Sequence, residues 1–130
     1  MTTKERNYTV LYNEARIAGL EAVRKCTPTP MVVGEPTTLF GNDVDYSKKT
    51  YFVADGVCGF AWINVKPGNS PFANWLKKTD KGKSSHYEGG VTIWVSEFNQ
   101  SMQKKECYAQ AFADVLRKSG IRAYAMSRMD

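Results

Sequence analysis

The chain has 130 residues, a formal charge of +5 and a hydrophobic share of 42% with three tryptophans. Chains of this composition fold around a core, so wholesale disorder is excluded, and this length predicts a single domain over residues 1–130. The longest apolar runs fall well short of the roughly 20 residues of a membrane-crossing helix. The polar N-terminus has no secretory signal pattern, so we expect a cytoplasmic protein without a membrane partner.

The first predicted element is a helix from Asn7 to Lys25. Apolar residues recur at spacings of three and four along it, which is the pattern of a single buried stripe. Pro28 and Pro30 fix φ and lack backbone donors, so the helix must end before them. The stretch Thr27 to Met31 is therefore predicted to be a rigid connector.

Next comes a predicted β-hairpin. Tyr51 to Ala54 and Val57 to Val65 flank Asp55-Gly56, a pair that suits a tight two-residue turn. Both faces of the second strand are apolar, which predicts a central strand that is covered on both sides by helices or by a partner subunit.

A short helix is predicted after Ser70, because a capping hydroxyl precedes Pro71 there, and it ends near Lys78. The lysine-rich run Lys77 to Ser85 has no periodicity and is interpreted as a mobile, solvated loop. Val91 to Val95 alternates as a strand does.

A third helix, from about Ser101 to Ser119, is closed by Gly120. Ile121 to Met126 then alternates as a strand at or near a sheet edge. The order of elements predicts an α+β fold: a mainly antiparallel sheet with two main helices and one short helix packed against it.

The residues offer little support for catalysis or metal binding. Cys26, Cys58 and Cys107 are far apart, odd in number and without a C-x-x-C motif, so they are interpreted as reduced core cysteines. His86 is the only histidine. Gly82-Lys83-Ser84 lacks the first glycine and the preceding strand of a phosphate-binding loop. We therefore expect a binding protein with no cofactor and no metal.

Three segments combine a cation with an aromatic and small polar residues. Lys66 to Phe72 places the amides of a helix start at the end of the central strand, where an anion can be held. Phe98 to Ser101 repeats the arrangement. Lys104 and Lys105 follow it in the first turns of the third helix, where the helix dipole disfavours positive charge. Either an anion lies nearby, or the two lysines simply reach water. The C-terminal group Tyr124, Ser127 and Arg128 suits a base and a phosphate, or else forms a frayed tail.

A resemblance rests on longer runs of sequence. These are Gly56 to Trp62, Lys66 to Ser70, Gly89 to Val95 and Gly120 to Asp130. The chain resembles a small protein family of tailed bacteriophages and, within it, the first type of Thoeris anti-defence proteins. The resemblance implies a homo-oligomeric cytoplasmic protein that binds a cyclic ADP-ribose signal and releases it unaltered.

The first hypothesis is therefore sequestration of a cyclic nucleotide. The candidate ligand-binding residues are Phe72, Trp75, Phe98 and Tyr124 for stacking, Asn69, Asn99 and Gln100 for polar edges, and Lys105, Arg122 and Arg128 for phosphates. The alternatives are direct binding of a host defence complex and binding of single-stranded nucleic acid. Nucleic acid is the less favoured partner, because the lysines are scattered over several elements.

Overall fold

The computed structural model describes residues 3–26, 58–96 and 101–129, together with the backbone of two short strands, Met31–Val33 and Tyr51–Val53. In chain order the elements are α1 (Thr3–Lys25), β1 (Met31–Val33), β2 (Tyr51–Val53), β3 (Gly59–Lys66), α2 (Pro71–Lys78), β4 (Lys83–Ser84), β5 (Val91–Trp94), α3 (Met102–Lys118) and β6 (Arg122–Met129). The predicted α+β class is confirmed: three helices accompany an antiparallel four-stranded sheet.

Helix α1 ends at Lys25 as predicted but begins at Thr3, four residues before the predicted start at Asn7. The extra turn carries Glu5, whose carboxylate lies near the positive end of the helix dipole. Glu5 also pairs with Lys78 at the end of α2, with Nζ 3.0 Å from Oε1. The first turn of α1 was missed because it has no apolar periodicity, and its contact with α2 is not visible in the local sequence. None of the helices described is long and apolar enough to cross a membrane.

The main sheet has the strand order β4-β5-β3-β6, with antiparallel neighbours throughout. Strand β3 is central, as predicted from its two apolar faces. Strand β6 lies at the edge, also as predicted, and pairs with all of β3, from Gly59 opposite Met129 to Lys66 opposite Arg122. The C-terminal residues up to Met129 are thus part of the sheet and not a frayed tail.

The predicted hairpin is wrong. Strand β2 pairs with β1 in a separate two-stranded sheet, in a register from Met31 opposite Val53 to Val33 opposite Tyr51. Strand β3 has β5 on one side and β6 on the other, and these pairings occupy its hydrogen-bonding edges. The Asp55-Gly56 pair lies outside the described residues. The predicted connector, Thr27 to Met31, is wrong at its last residue, because Met31 is the first residue of β1.

The lysine-rich loop is ordered at its end. Lys83 and Ser84 form β4 and pair with Thr92 and Val91. Gly90 makes the following turn possible, since its φ is +69° and a Cβ there would collide with the Val65 carbonyl oxygen. A solvated loop was therefore the wrong interpretation for the residues that form the sheet edge.

The helices lie on one face of the sheet. Ala61, Ile63 and Val65 of β3 are fully buried in the same hydrophobic cluster as Phe112 and Leu116 of α3. Helix α1 packs closely on α3 because Gly19 has no side chain: a Cβ there would lie 2.6 Å from the Tyr108 ring. The core is thus built between the helices and one side of the sheet.

The predicted Ser70 cap and the predicted helix end at Gly120 are confirmed, and Ser101 supplies a further cap. The Ser70 hydroxyl accepts a hydrogen bond from the Ala73 amide at 3.3 Å, and Pro71 opens α2. The Ser101 hydroxyl accepts from the Lys104 amide at 3.3 Å, and Gly120 follows α3 with φ of +85°. Ser70 and Gly120 lie in the two turns, Lys66 to Phe72 and Ser119 to Arg122, that contribute to the candidate site.

Candidate functional site

A cleft of about 680 Å³ lies at the end of the sheet where β3 finishes and β6 begins. Its walls come from the first half of α1, the turn that leads into α2 and the turn between α3 and β6. The cleft is lined by Asn7, Tyr8, Val10, Leu11, Glu14, Lys66, Pro67, Ser70, Pro71, Phe72, Ser119, Gly120, Ile121 and Arg122. Three parts of the chain that are distant in sequence therefore meet there.

Two cations stand side by side at the mouth of this cleft. Lys66 ends β3, Arg122 begins β6, and the register places them directly opposite each other. Both are exposed, and neither forms an ion pair with a described residue. Like charges at directly opposed positions destabilise a sheet. An anion between them would remove this repulsion and form charge-assisted hydrogen bonds with both groups.

The turn from Lys66 to Phe72 forms another side of the cleft and brings the Lys66 ammonium group and the Ser70 hydroxyl to it. Lys66, Pro67, Ser70, Pro71 and Phe72 all line the cleft. The start of α2 points the positive end of an eight-residue helix into this region. Its first turn has no acidic residue to satisfy that end.

The opposite wall is apolar. The Tyr8 ring meets Phe72 edge to face, with ring centres 5.5 Å apart, and Leu11 packs against the same core. Phe72 is 97% buried, so it forms part of the wall and does not project into the cleft as a free stacking platform. Tyr8 is only half-buried and offers the more accessible ring.

Trp75 is a core residue. It stacks on Phe72 with ring centres 5.6 Å apart and touches Tyr8 and Tyr12 of α1. It does not line the cleft. Its indole holds α2 against α1, which explains its burial without any ligand.

Lys105 and Arg128 lie at the other end of the sheet. Their cationic groups sit 5.5 Å and 5.4 Å from the centre of the Phe60 ring, and Lys105 Nζ also donates to the Gly59 carbonyl at 3.2 Å. From Phe60 to Lys66 is six residues of β3, or about 20 Å. One small ligand cannot reach both ends, so the predicted phosphate-binding residues do not form a single site.

The buried position of Lys105 explains why a lysine can lie near the start of α3. Its ammonium group is held by a carbonyl and an aromatic face of the protein itself, so no external anion is needed to explain it. Tyr124 is 47% exposed and lies on the face of the sheet that the helices do not cover. Asn69 is exposed in the turn before α2, where its carbonyl accepts from Asn74 Nδ2.

Phe98, Asn99 and Gln100 lie outside the described residues. Among the predicted site residues that the structure describes, only Phe72 and Arg122 line the cleft. Sequence reasoning missed Tyr8, Leu11 and Glu14 of α1, because their pattern is that of a helix packed on a core. Lys66 would have been identified as the neighbour of Arg122 if the pairing of β3 with β6 had been deduced.

The metal-binding potential of the described residues and the state of the cysteines complete the description of the site. No group of three or more histidine, cysteine, aspartate or glutamate side chains in the described ranges could hold a metal ion. The three cysteines are free, and Cys58 is exposed, so it is not the core residue that was predicted. Burial raises the pKa of the Cys107 thiol from 9.0 to about 11, and the neighbouring Cys26 thiol adds to the shift. Such a thiol stays protonated and unreactive at neutral pH.

No protein-family model, curated protein or solved structure matches the chain.

Proposed function

We propose that the protein captures a small anionic nucleotide in the cleft between α1, the Lys66–Phe72 turn and the start of β6, and releases it unaltered. The observation that carries this proposal is the opposed pair Lys66 and Arg122 at the mouth of a cleft with an apolar wall. Sites for small ligands combine these features: an apolar concave surface, a few convergent polar groups and a volume of about 300–1,000 Å³.

Each part of the cleft suits one part of a nucleotide. Lys66, Arg122 and the start of α2 would hold phosphate oxygens. The half-buried ring of Tyr8, beside Leu11, would contact the base. Glu14, the acidic side chain of the lining, would accept a hydrogen bond from a ribose hydroxyl or a base amino group. This arrangement would favour a ligand that carries both phosphate and donor groups over inorganic phosphate.

The resemblance to phage Thoeris anti-defence proteins supplies the ligand class. We infer that cyclic ADP-ribose isomers are the ligands to test first and cyclic oligonucleotides second. In this proposal the protein acts in the host cytoplasm, lowers the concentration of an immune signal by stoichiometric binding and performs no chemistry on it.

Calorimetric titration against a panel of these cyclic nucleotides tests the proposal. We expect at least one to bind and to be recovered unchanged, by mass spectrometry, after the protein is denatured. Lys66→Ala and Arg122→Ala should each weaken binding by about tenfold or more, since each removes a charge-assisted hydrogen bond. Lys25→Ala is the matched control, because it removes an exposed lysine at the far end of α1.

Three results would contradict the proposal. Absence of binding to every member of the panel would exclude sequestration. Recovery of a cleaved or rearranged ligand would make the protein an enzyme. If a ligand binds but both cleft variants retain full affinity, the cleft is the wrong location.

A homo-oligomer is part of the same proposal. Outside the cleft, α1 leaves Ile17 and Leu20 exposed by 65% and 42%, and side chains of this kind are suited to a contact between copies. Ile17→Glu should then reduce the mass measured by light scattering to that of a monomer. An unchanged mass would place the subunit contact elsewhere or show that the protein is monomeric.

A further inference from the structure

The sheet has a second face, which the described helices do not cover. We call it the open face and define it by the residues that alternate with the core positions: Phe60, Trp62, Asn64, Lys66, Lys83, Thr92, Trp94, Arg122, Tyr124, Met126 and Arg128. The core positions of the same strands, such as Ile63 and Ala123, are fully buried against the helices. The open face therefore presents aromatic, cationic and polar side chains, whereas the covered face presents apolar ones.

Two aromatic rings on this face, Trp94 and Tyr124, are exposed, and Trp94 is supported by a neighbouring ring. Trp94 is 51% exposed, and its ring lies 5.0 Å from that of Trp62 on the neighbouring strand. Trp62 is buried, and its indole Nε1 donates to Glu88 Oε2 at 3.1 Å. The exposed ring of Tyr124 stands two strands away from Trp94, on β6. Rings supported in this way can stack on a flat ligand with little loss of side-chain entropy.

The charge of the open face is strongly positive. Lys66, Lys83, Arg122 and Arg128 are all exposed on it. The one acidic side chain near the open face among the described residues is Glu88, in the turn between β4 and β5, and its carboxylate accepts a hydrogen bond from the Trp62 indole. Two copies pairing face to face would bring these like charges together. A polyanion is complementary to them.

We propose that the open face binds single-stranded nucleic acid. Bases would stack on Trp94 and Tyr124, and phosphates would lie against Arg128, Lys83 and the cations at the Lys66 end. Alternating aromatic and cationic groups along a surface are the features by which proteins hold single strands without reading their sequence. RNA and DNA share this chemistry. The objection that the lysines are scattered in sequence no longer holds, because three strands bring cations onto one face.

The test is fluorescence anisotropy of the full chain with fluorescein-labelled 12-nucleotide oligouridylate and oligothymidylate. Both oligonucleotides should bind at 20 mM salt and weaken as salt rises. Trp94→Ala and Tyr124→Ala should each lower affinity by about tenfold, the effect of losing one stacked base. Trp94→Phe and Tyr124→Phe keep a ring and should retain most of the affinity.

The salt dependence isolates the phosphate contacts. Each neutralised phosphate of a single strand contributes about −0.7 to the slope of log K against log salt. Lys83→Ala combined with Arg128→Ala should therefore make the slope shallower by about 1.4. Lys25→Ala, away from the sheet, should leave it unchanged. Stronger binding of oligouridylate would indicate RNA as the natural ligand, and stronger binding of oligothymidylate would indicate DNA.

Three outcomes would overturn the inference. One is no binding of either oligonucleotide at 20 mM salt, and another is binding that the Trp94 and Tyr124 variants leave intact. The third is a loss of self-association in Trp94→Ala without an effect on oligonucleotides, which would make the open face a subunit contact. Both proposals use Lys66 and Arg122, but the test separates them, because Trp94 and Tyr124 do not line the cleft and their variants should not affect capture of a cyclic nucleotide.

Discussion

The two faces of the sheet are built from the same strands but are buried by different means. On the covered face, Ile63 and Val65 are sealed by the apolar side chains of the helices. On the open face, Trp62 and Asn64 are also buried, but under the turn that joins β4 to β5, where they donate to Glu88 Oε2 and to the Gly89 carbonyl. Hydrogen bonds to a turn leave the surrounding rings and cations accessible, whereas packing by helices does not.

The covered face should therefore determine stability and the open face should not. Phe112→Ala removes a fully buried ring from α3 and should cost about 3–5 kcal/mol of the free energy of unfolding. Trp94→Ala, the matched aromatic truncation on the open face, should cost far less because half of the ring is already in water. Urea unfolding of both variants measures the difference. Equal losses would mean that the open face is part of the core.

The close approach of α1 to α3 gives the next largest effect. Gly19→Ala places a methyl group 2.6 Å from the Tyr108 ring, and this overpacking should cost about 1–3 kcal/mol even though alanine favours helix. In a Tyr108→Ala background the ring is gone, and the same substitution should be neutral or stabilising. A double-mutant cycle measures this coupling. Additive losses would show that the two residues are not in contact.

Local signals predicted the three helices and the strands β3, β5 and β6, but not β1 or β4. Ser70, Pro71 and Gly120 marked helix ends correctly, because capping depends on residues that are adjacent in sequence. The Asp55-Gly56 hairpin failed because strand pairing depends on competition. Both edges of β3 are occupied, one by β5 and the other by the eight residues of β6, so no edge is left for β2.

The candidate site was less predictable, because it is assembled from ends of elements. Arg122 and Phe72 were identified from their chemistry, but Lys105 and Arg128 were assigned to the same ligand although they lie at the opposite end of β3 from the cleft. Only the register between β3 and β6 reveals that separation. Tyr8 and Glu14 gave no signal, since nothing local distinguishes a cleft wall from any other helix surface.

The opposed cations of the cleft should have a small but diagnostic effect on stability. Lys66→Ala should raise the free energy of unfolding by about 0.2–1 kcal/mol at low salt, because it removes a like-charge opposition across the sheet. Arg122→Ala should do the same, and the double variant should gain less than the sum. The gain should shrink in 1 M salt, where such interactions are screened. Destabilisation by both variants would mean that the two side chains make favourable contacts instead.

The last effect depends on pH and concerns Cys107 in α3, in the helical layer behind the covered face. The pKa of Cys107 is about 11 in the folded protein and 9.0 without the fold, so between these values the folded chain keeps a proton that the unfolded chain has lost. The free energy of unfolding should thus be at its full value below pH 9 and fall as pH rises toward 11. Cys107→Ala should weaken this fall, measured by urea unfolding from pH 8 upward, whereas Cys58→Ala at an exposed position is the control. If the two variants lose stability with the same slope, the Cys107 thiol titrates no differently in the folded and unfolded states.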